Sequence, residues 1–320
     1  MDAREALVAI ASGRTLTRAE ARSAMGSVMA GEATPAQLGA LLAALHIRGE
    51  TVDEIAGCAA ALRDVAVRVN LRHDAVDIVG TGGDRSNSFN ISTVSALVVA
   101  AAGGRVAKHG NRAATSACGS ADVLEALGVR IDLGPEGVAR CVDEAGVGFM
   151  FAPRYHPAMR HAGPVRREIG IRTVFNVLGP LANPAGVRRI LLGVPSPALG
   201  EKVARVLLEL DTERALVVHG EDGLDEISPS DPTRTWEVRD GEVREGRIDP
   251  REVGLAAASR AEITGGDAAK NAAMARRVLD GAGDGTRTAI LLNAGAACYV
   301  AGLASDLREG VRAAARAIDS

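Results

Sequence analysis

A glycine-rich stretch at residues 77–128 constrains the fold more than any other part of the sequence. A short apolar run leads into GTGGD at 80–84, and NIST at 90–93 then opens an apolar run that continues to Ala102. Glycines lack a Cβ, so they let the chain turn sharply after a strand. A second strand at 105–107 and another helix start follow, and the pattern therefore predicts two consecutive strand–loop–helix units.

Several features of this stretch favour a ligand that carries phosphate groups. Backbone N–H groups in the GTGGD loop can cradle phosphate oxygens, and a helix beginning at NIST adds unpaired N–H groups and a favourable dipole. Lys108, predicted to follow the second strand, is one of only three lysines among 37 lysines and arginines, which suggests a compact point charge. GTGGD alone would also suit a plain turn, and it matches neither the dinucleotide fingerprint nor the P-loop.

Composition excludes several classes of function. The 320 residues are 47% hydrophobic, enough for one large and one smaller domain, and only 2% aromatic, which argues against base-stacking surfaces. The net charge of −3, with dispersed arginines, argues against nucleic-acid and membrane partners. Four scattered cysteines without a C-x-x-C motif indicate free thiols in a reducing compartment. No signal peptide or spanning segment is expected, so we predict a cytoplasmic protein.

The first 70 residues are predicted to be entirely helical. Equally spaced helix-start signals pair a threonine with Glu or Gln three positions later, and each precedes an apolar stripe of helical period. The pairs are Thr17 with Glu20, Thr34 with Gln37, and Thr51 with Glu54. We therefore predict a small helical bundle domain at 1–73, joined in space by part of 155–185, and an α/β domain at 74–320.

The larger domain is predicted to contain a mostly parallel central sheet flanked by helices. Further strands are expected at 148–151, 190–194 and 216–219, helices at 198–210, 266–280 and 305–318, and a hairpin around Asp240-Gly241. Ligands of such sheets bind at the carboxyl ends of the strands.

Two later segments carry candidate chemistry. The acidic cluster at 221–228 follows a strand, where paired carboxylates suit magnesium, although a solvated acidic turn is the commoner meaning of such a cluster. Residues 152–184 hold five arginines and two histidines. They form either a solvated amphipathic helix with a proline turn or a functional segment.

Several motifs together resemble the anthranilate phosphoribosyltransferase family. They are GTGGD, NIST, KHGNR and GSADVLEALG, with PVR at 164–166 and NVLGP at 176–180 resembling the family's hinge and acceptor segment. The resemblance covers nearly the whole chain. It implies transfer of a 5-phosphoribosyl group from phosphoribosyl pyrophosphate to the amine of anthranilate, in tryptophan biosynthesis, with two magnesium ions as cofactor. It also implies small-molecule partners and a homodimer formed through the helical domain.

The same resemblance assigns site residues. The donor would be bound by Gly80, Gly83, Asp84, Ser88, Asn90, Ile91, Ser92, Thr93, Lys108, His109, Gly110, Asn111, Arg112, Ala113, Ala114, Thr115, Ser116 and Ser120. Anthranilate would be held by Gly80, Asn111 and Arg166, and the metal by Ser92, Asp225 and Glu226. Lys108 and the two acidic residues would act through charge and position. An aromatic amine is neutral near pH 7 and needs no general base, so His109 is expected to orient.

Two alternatives remain at this stage. A pyrimidine nucleoside phosphorylase shares the architecture, but its glycine loop resembles KHSTGGVGD and the sequence here does not. A non-enzymatic relative that binds nucleic acid would need a basic surface and would bind DNA with a steep dependence on salt.

Overall fold

The computed structural model, which describes residues 1–113 and 117–320, begins with four helices. They are α1 (Ala3–Ala11), α2 (Arg18–Met29), α3 (Pro35–Arg48) and α4 (Val52–Asp64). Thr17, Thr34 and Thr51 are the N-caps of α2, α3 and α4, each in a reciprocal capping box as predicted. Asp2 makes the same box at α1, a start that the sequence analysis missed. The prediction of helix up to residue 70 was wrong, because α4 ends at Asp64 and an irregular connection follows.

The α/β part is built on one seven-stranded sheet. Its strands are β1 (Val76–Gly80), β2 (Val106–Gly110), β3 (Val147–Phe151), β4 (Arg189–Gly193), β5 (Arg214–Gly220), β6 (Thr233–Arg239) and β7 (Glu242–Ile248). The order is β3-β2-β1-β4-β5-β6-β7, with the first five parallel and the last two antiparallel. The predicted fold class is thus confirmed. Because β2 extends to Gly110, Lys108 and His109 lie within a strand and not in the loop that the sequence suggested.

The order of the strands reverses next to β1, where β2 and β3 extend to one side and β4 and β5 to the other. In open α/β sheets this switch point opens a crevice outside the carboxyl ends of the strands. Gly80 of β1 is paired with Gly193 of β4 at that point. The topology therefore places a ligand site directly after the GTGGD loop begins.

Helices flank the sheet on both faces. They are α5 (Ile91–Ala101), α6 (Ser120–Ala126), α7 (Pro135–Ala145), α8 (Ala152–Tyr155), α9 (Gly163–Ile169), α10 (Phe175–Leu181), α11 (Pro197–Glu209), α12 (Ala268–Leu279), α13 (Gly285–Ala301) and α14 (Leu307–Ile318), with short 3-10 turns at Pro157–His161, Pro250–Val253 and Arg260–Ile263. Predicted helices correspond to α11, α12 and α14. The helix α13 was not predicted. Every residue from 289 to 298 is buried, so the sequence lacks the alternation of polar and apolar faces that marks a surface helix. Within the described ranges, no helix is long and apolar enough to cross a membrane.

Two hydrophobic cores lie on opposite faces of the sheet. One core contains apolar side chains from the four N-terminal helices, from α11 and from one face of β4 and β5. It also contains buried residues of the segment at 162–182. Those residues are Ala162, Val165, Val174, Phe175, Val177, Leu178, Leu181 and Ala182. The other core joins α5, α13 and α14 with the opposite face of the sheet. Arg63 on α4 also donates from Nε to the carbonyl of Leu181 at 2.6 Å, so the segment is tied to the bundle by polar contacts as well.

Candidate active site

The acidic loop after β5 crosses the strand ends at the switch point. A Cβ on Gly193 would overlap the main-chain carbonyl oxygen of Asp225, and a Cβ on Gly80 would lie 2.6 Å from its carboxylate oxygen Oδ2. Glycine at both strand ends therefore makes room for Asp225. Behind it, Asn293 on α13 accepts from the N–H of Ile227 and donates to its carbonyl, both at 2.9 Å. The acidic loop is thus fixed from two sides.

The GTGGD loop has the sharp turn that its sequence predicts. Gly82 and Gly83 have φ values of +70° and +86°, and the N–H of Gly82 donates to Oδ2 of Asp225 at 2.8 Å. Arg85 and Asn87, which are not glycines, also have positive φ values of 56° and 53°. Such backbone strain concentrates where a ligand is bound. The loop and the acidic segment therefore form one connected unit.

The N-terminus of α5 lies against the acidic loop, next to Glu226. Asn90 caps the helix without a side-chain hydrogen bond to it. Its carboxamide instead donates to the carbonyl of Cys118 at 3.1 Å and accepts from Nδ2 of Asn271 at 2.9 Å. Asn271, on α12, is only 1% exposed and had no signal in the sequence. The N–H of Ser92 donates to Glu226 at 3.2 Å, whereas those of Ile91, Thr93 and Val94 donate to backbone carbonyls of Phe89 and Asn90. The start of α5 therefore offers an anion mainly the positive end of its dipole.

Asp225 and Glu226 form a buried acidic pair. Burial, followed by the charges of Asp84 and Glu226, raises the pKa of Asp225 well above its usual value. Burial also raises the pKa of Glu226 to about 7, opposed by the Lys108 ammonium. The described residues contain no cluster of three or more acidic, histidine or cysteine side chains shaped to hold a metal. Magnesium uses one or two carboxylates and completes its shell with water and phosphate, so this donor set fits it.

Lys108 reaches the site from beneath, through β2. It is 3% exposed, and its ammonium donates to the carbonyl of Ile78 and to Oγ of Ser92, the latter at 3.3 Å. Burial lowers the pKa of Lys108, against the opposing effects of the Asp77 and Glu226 carboxylates. Asp77 is itself fully buried and accepts from Nδ2 of Asn183 at 2.7 Å. Neither Asp77 nor Asn183 was predicted as a site residue from the sequence, because the two are 106 residues apart and meet only in the fold.

A pair of buried histidines lies beside the lysine. Nδ1 of His109 is 3.1 Å from the carbonyl oxygen of Gly179, which only accepts, so Nδ1 carries the proton. Its ring centroid is 5.0 Å from that of His156. Burial lowers the pKa of His109 to about 3 and that of His156 to about 4, so both rings are neutral near pH 7. His156 was not selected from the sequence, although it is one of the two histidines in the 152–184 segment.

Arg166 presents a second cation from α9. Its guanidinium lies 5.0 Å from the ring centroid of Phe175, and burial lowers its pKa. Across the residues that the structure describes, no carboxylate forms an ion pair with it. Arg167, the next residue, is exposed. Arg166 is thus a half-buried cation available to an anionic group of a ligand.

Comparison with known proteins identifies the family. Sequence models of a glycosyl transferase family match at 4–66 (helical bundle domain) and at 72–320 (a/b domain). The anthranilate phosphoribosyltransferase of Chloroflexus aggregans is 56% identical over 322 residues, covering 100% of this chain and 95% of that protein. The chain belongs to the anthranilate phosphoribosyltransferase family. The resemblance read from the sequence and the enzyme class that it implied are confirmed.

Solved structures of other family members have the same fold. The anthranilate phosphoribosyltransferase of Thermus thermophilus is 46% identical, with a TM-score of 0.93 over 99% of this chain and 94% of that one. The Saccharomyces cerevisiae enzyme in complex with PRPP and Mg is 27% identical, with a TM-score of 0.89 over 99% and 92%. Its complex with 4-fluoroanthranilate is 25% identical, with a TM-score of 0.88 over 99% and 93%.

The remaining residues assigned through the family resemblance have different structural surroundings. The Asn111 carbonyl accepts from Oγ of Ser120 at 3.2 Å, which ties the end of β2 to α6. The side chains of Ile91 and Thr93 are buried, so a ligand would meet only their backbone. Ser88 forms an isolated antiparallel β-bridge with Thr264.

Arg112 is occupied within the protein. Its guanidinium pairs with Asp122 at 2.9 Å and with Glu125, and the N–H of Ala113 donates to Asp122 at 3.0 Å. Its charge is therefore already neutralised. Ala114, Thr115 and Ser116, also assigned to the donor, lie outside the described residues.

Proposed function

We propose that this chain transfers the 5-phosphoribosyl group from phosphoribosyl pyrophosphate to the amine of anthranilate, releasing pyrophosphate, as a step of tryptophan biosynthesis. The observation that carries the proposal is the meeting of the GTGGD loop, the start of α5 and the Asp225-Glu226 pair at the switch point of the sheet. Family membership supports it, as do the complexes of the yeast relative with PRPP and Mg and with 4-fluoroanthranilate.

Donor binding follows from the charges of the site. N–H groups of the GTGGD loop would donate to phosphate oxygens, the dipole at the start of α5 would favour the same anion, and Lys108 contributes a fixed positive charge below them. Ser92, Asp225 and Glu226 would hold magnesium, two ions being expected, and the metal would neutralise charge on the departing pyrophosphate. Without a cation, the buried carboxylates would repel the donor. The protein's own cations and the metal site thus act on the same leaving group.

Acceptor binding requires alignment more than proton transfer. Arg166 can take the carboxylate of anthranilate in two parallel hydrogen bonds, and Gly80 and Asn111 would line the rest of its site. Holding that carboxylate aims the neighbouring amine at the ribose C1. Neutral His109 contacts the Gly179 carbonyl and would orient the acceptor segment. Its low pKa means that it cannot serve as an acid near pH 7.

An assay of anthranilate fluorescence tests the activity. Wild-type protein should consume anthranilate only when both phosphoribosyl pyrophosphate and magnesium are present. Thymidine or uridine with phosphate, the substrates of the rival phosphorylase, should not be cleaved. Cleavage of the nucleoside without consumption of anthranilate would refute the proposal.

Removing the acidic pair tests the metal site. Asp225→Asn with Glu226→Gln should lower turnover at least about a hundredfold, the scale of losing one preorganised electrostatic group. Helical content measured by circular dichroism should not change. Full activity of the double variant across a magnesium titration would show that these residues do not hold the metal.

We also propose that the chain has two domains, at 1–73 and 74–320, and that the protein is cytoplasmic. We further propose that it forms a homodimer through the helical domain. Val8 on α1 is 63% exposed and Ile47 on α3 is 84% exposed, although the two helices pack together. The family resemblance supports the dimer, and these two exposed apolar side chains are its candidate contacts. Ile47→Glu should halve the mass measured by light scattering, whereas Val67→Glu, outside the helices, should not. A monomeric wild type would exclude the dimer.

A further inference from the structure

A second arginine of the acceptor segment reaches the GTGGD loop. A Cβ built on Gly83 would overlap the guanidinium of Arg172, coming within 3.0 Å of its Cζ atom. Arg172 lies in the turn between α9 and α10. Gly170 ends α9 with a φ of +67°, and the N–H of Thr173 donates to Oδ1 of Asn176 at 2.9 Å. The turn that carries Arg172 is therefore shaped by local hydrogen bonds, and its side chain lies across the loop after β1.

The charge of Arg172 has no counter-ion within the part of the chain that the structure describes. The side chain is exposed, and neither an ion pair nor a hydrogen bond to residues 1–113 or 117–320 involves its guanidinium. Arg112, by contrast, is held between Asp122 and Glu125 near the same site. An arginine side chain loses conformational freedom when it is ordered, which a compensating interaction normally offsets. An anion bound on the GTGGD loop would provide that interaction.

We propose that Arg172 binds the pyrophosphate end of the donor and stabilises it as the leaving group. Asp225 contacts the loop at Gly80 and Gly82, while Arg172 contacts it at Gly83. The loop thus lies between an acidic pair suited to a metal and an arginine suited to phosphate. The planar guanidinium offers five N–H donors in a fork that matches phosphate oxygens.

The inference rests on the proposed function and extends it to one step of the reaction. The bond from C1 of the ribose to the pyrophosphate oxygen breaks, and its electron pair goes to that oxygen. The amine nitrogen of anthranilate forms the new bond to C1, and the nitrogen then gives its proton to water. Negative charge on the pyrophosphate increases during this step, and Arg172 is placed to stabilise it.

One short segment would then serve both substrates. Arg166 faces the acceptor, and Arg172 follows it after the end of α9. A change at Arg172 should therefore alter the parameters of the donor and leave those of anthranilate unchanged. This separation distinguishes a contact with pyrophosphate from a general loss of structure in the segment.

Calorimetric titration with magnesium pyrophosphate, without either substrate, measures the contact directly. Arg172→Ala should raise the dissociation constant by about tenfold to a hundredfold, the range for losing charged hydrogen bonds. Arg172→Lys should recover only part of the affinity, because an ammonium lacks the fork. Arg167→Ala, an exposed arginine on α9, is the matched control and should bind as the wild type does. All variants should have wild-type melting temperatures.

Steady-state kinetics complete the test. Arg172→Ala should lower kcat and raise KM for phosphoribosyl pyrophosphate, with KM for anthranilate within about twofold of wild type, a change of less than about 0.5 kcal/mol. Unchanged pyrophosphate affinity, equal losses in Arg167→Ala, or a defect confined to anthranilate would overturn the proposal. If wild-type protein fails to use anthranilate at all, the proposed function is wrong, while the calorimetric result still decides whether Arg172 binds pyrophosphate.

Discussion

Gly193→Ala should disable the site by displacing the acidic loop. The new methyl group would occupy the position of the Asp225 carbonyl oxygen, and it would lie 2.5 Å from the carbonyl carbon and 3.3 Å from the Glu226 nitrogen. The backbone of Gly193 has no positive φ, so alanine causes no conformational strain of its own. Any effect therefore comes from the contact with Asp225 and not from the loss of glycine flexibility.

The surroundings allow little relaxation. Gly193 is held in the sheet between β1 and β5, and the acidic loop is tied behind to Asn293 by two hydrogen bonds of 2.9 Å. Overpacking of this kind costs roughly 1–3 kcal/mol of stability. A displacement of about 1 Å in catalytic geometry costs on the order of a hundredfold in rate. We expect kcat/KM to fall by about that factor, with a larger requirement for magnesium.

The assay is anthranilate consumption across a magnesium titration, with urea unfolding to measure stability. Gly26→Ala on α2, where a Cβ meets nothing within 4 Å, is the control and should retain full activity. Wild-type kcat/KM and magnesium dependence in Gly193→Ala would show that the loop is free to move, and would refute the steric argument.

Other cationic and titratable side chains of the site give three further predictions. Lys108→Arg should not rescue the activity lost in Lys108→Ala, because a planar fork cannot fit the buried position of the ammonium; equal activity of Lys108→Arg and wild type would contradict this. Arg166→Ala should raise KM for anthranilate by about tenfold to a hundredfold and leave KM for the donor unchanged, whereas comparable effects in Arg167→Ala would disprove the assignment. His109 and His156 have pKa values lowered to about 3 and 4, so the unfolded chain binds protons that the folded chain does not. The free energy of unfolding therefore has its full value above a pH of about 6.5. It should fall by roughly 2–3 kcal/mol per histidine by about pH 4.5, because protonation favours the unfolded chain. Urea unfolding should show a shallower pH dependence in His156→Leu, and an unchanged slope would contradict the buried neutral state.

Local signals in the sequence predicted most of the fold. Each capping box depends on residues three positions apart, so Thr17, Thr34 and Thr51 indicated their helices without knowledge of the tertiary structure. The hairpin was visible for the same reason, since Asp240 and Gly241 both take positive φ in its turn. The helix α13 was not predicted, because burial on nearly every side removes the alternation that marks an amphipathic helix.

The site was only partly predictable, because several of its supports come from distant positions. Asn271 holds Asn90, Asn293 holds Ile227, and Asn183 holds Asp77, each through a hydrogen bond between widely separated residues. A buried asparagine carries no local pattern that distinguishes it from an exposed one. The family resemblance supplied ligand-facing residues, whereas the side chains that position them required the structure.

The glycines of the site were informative for a steric reason that the sequence alone does not reveal. The space of the missing Cβ is taken by the Asp225 carboxylate at Gly80, by the Asp225 main-chain carbonyl at Gly193 and by the Arg172 guanidinium at Gly83. Only Gly83 among these also has a positive φ that disfavours other residues. The glycine-rich loop is therefore closely packed at Gly80 and Gly83, whereas a Cβ on Gly82 would meet nothing within 4 Å. The substitutions that matter most are those that add a single methyl group where the acidic loop or a guanidinium must lie.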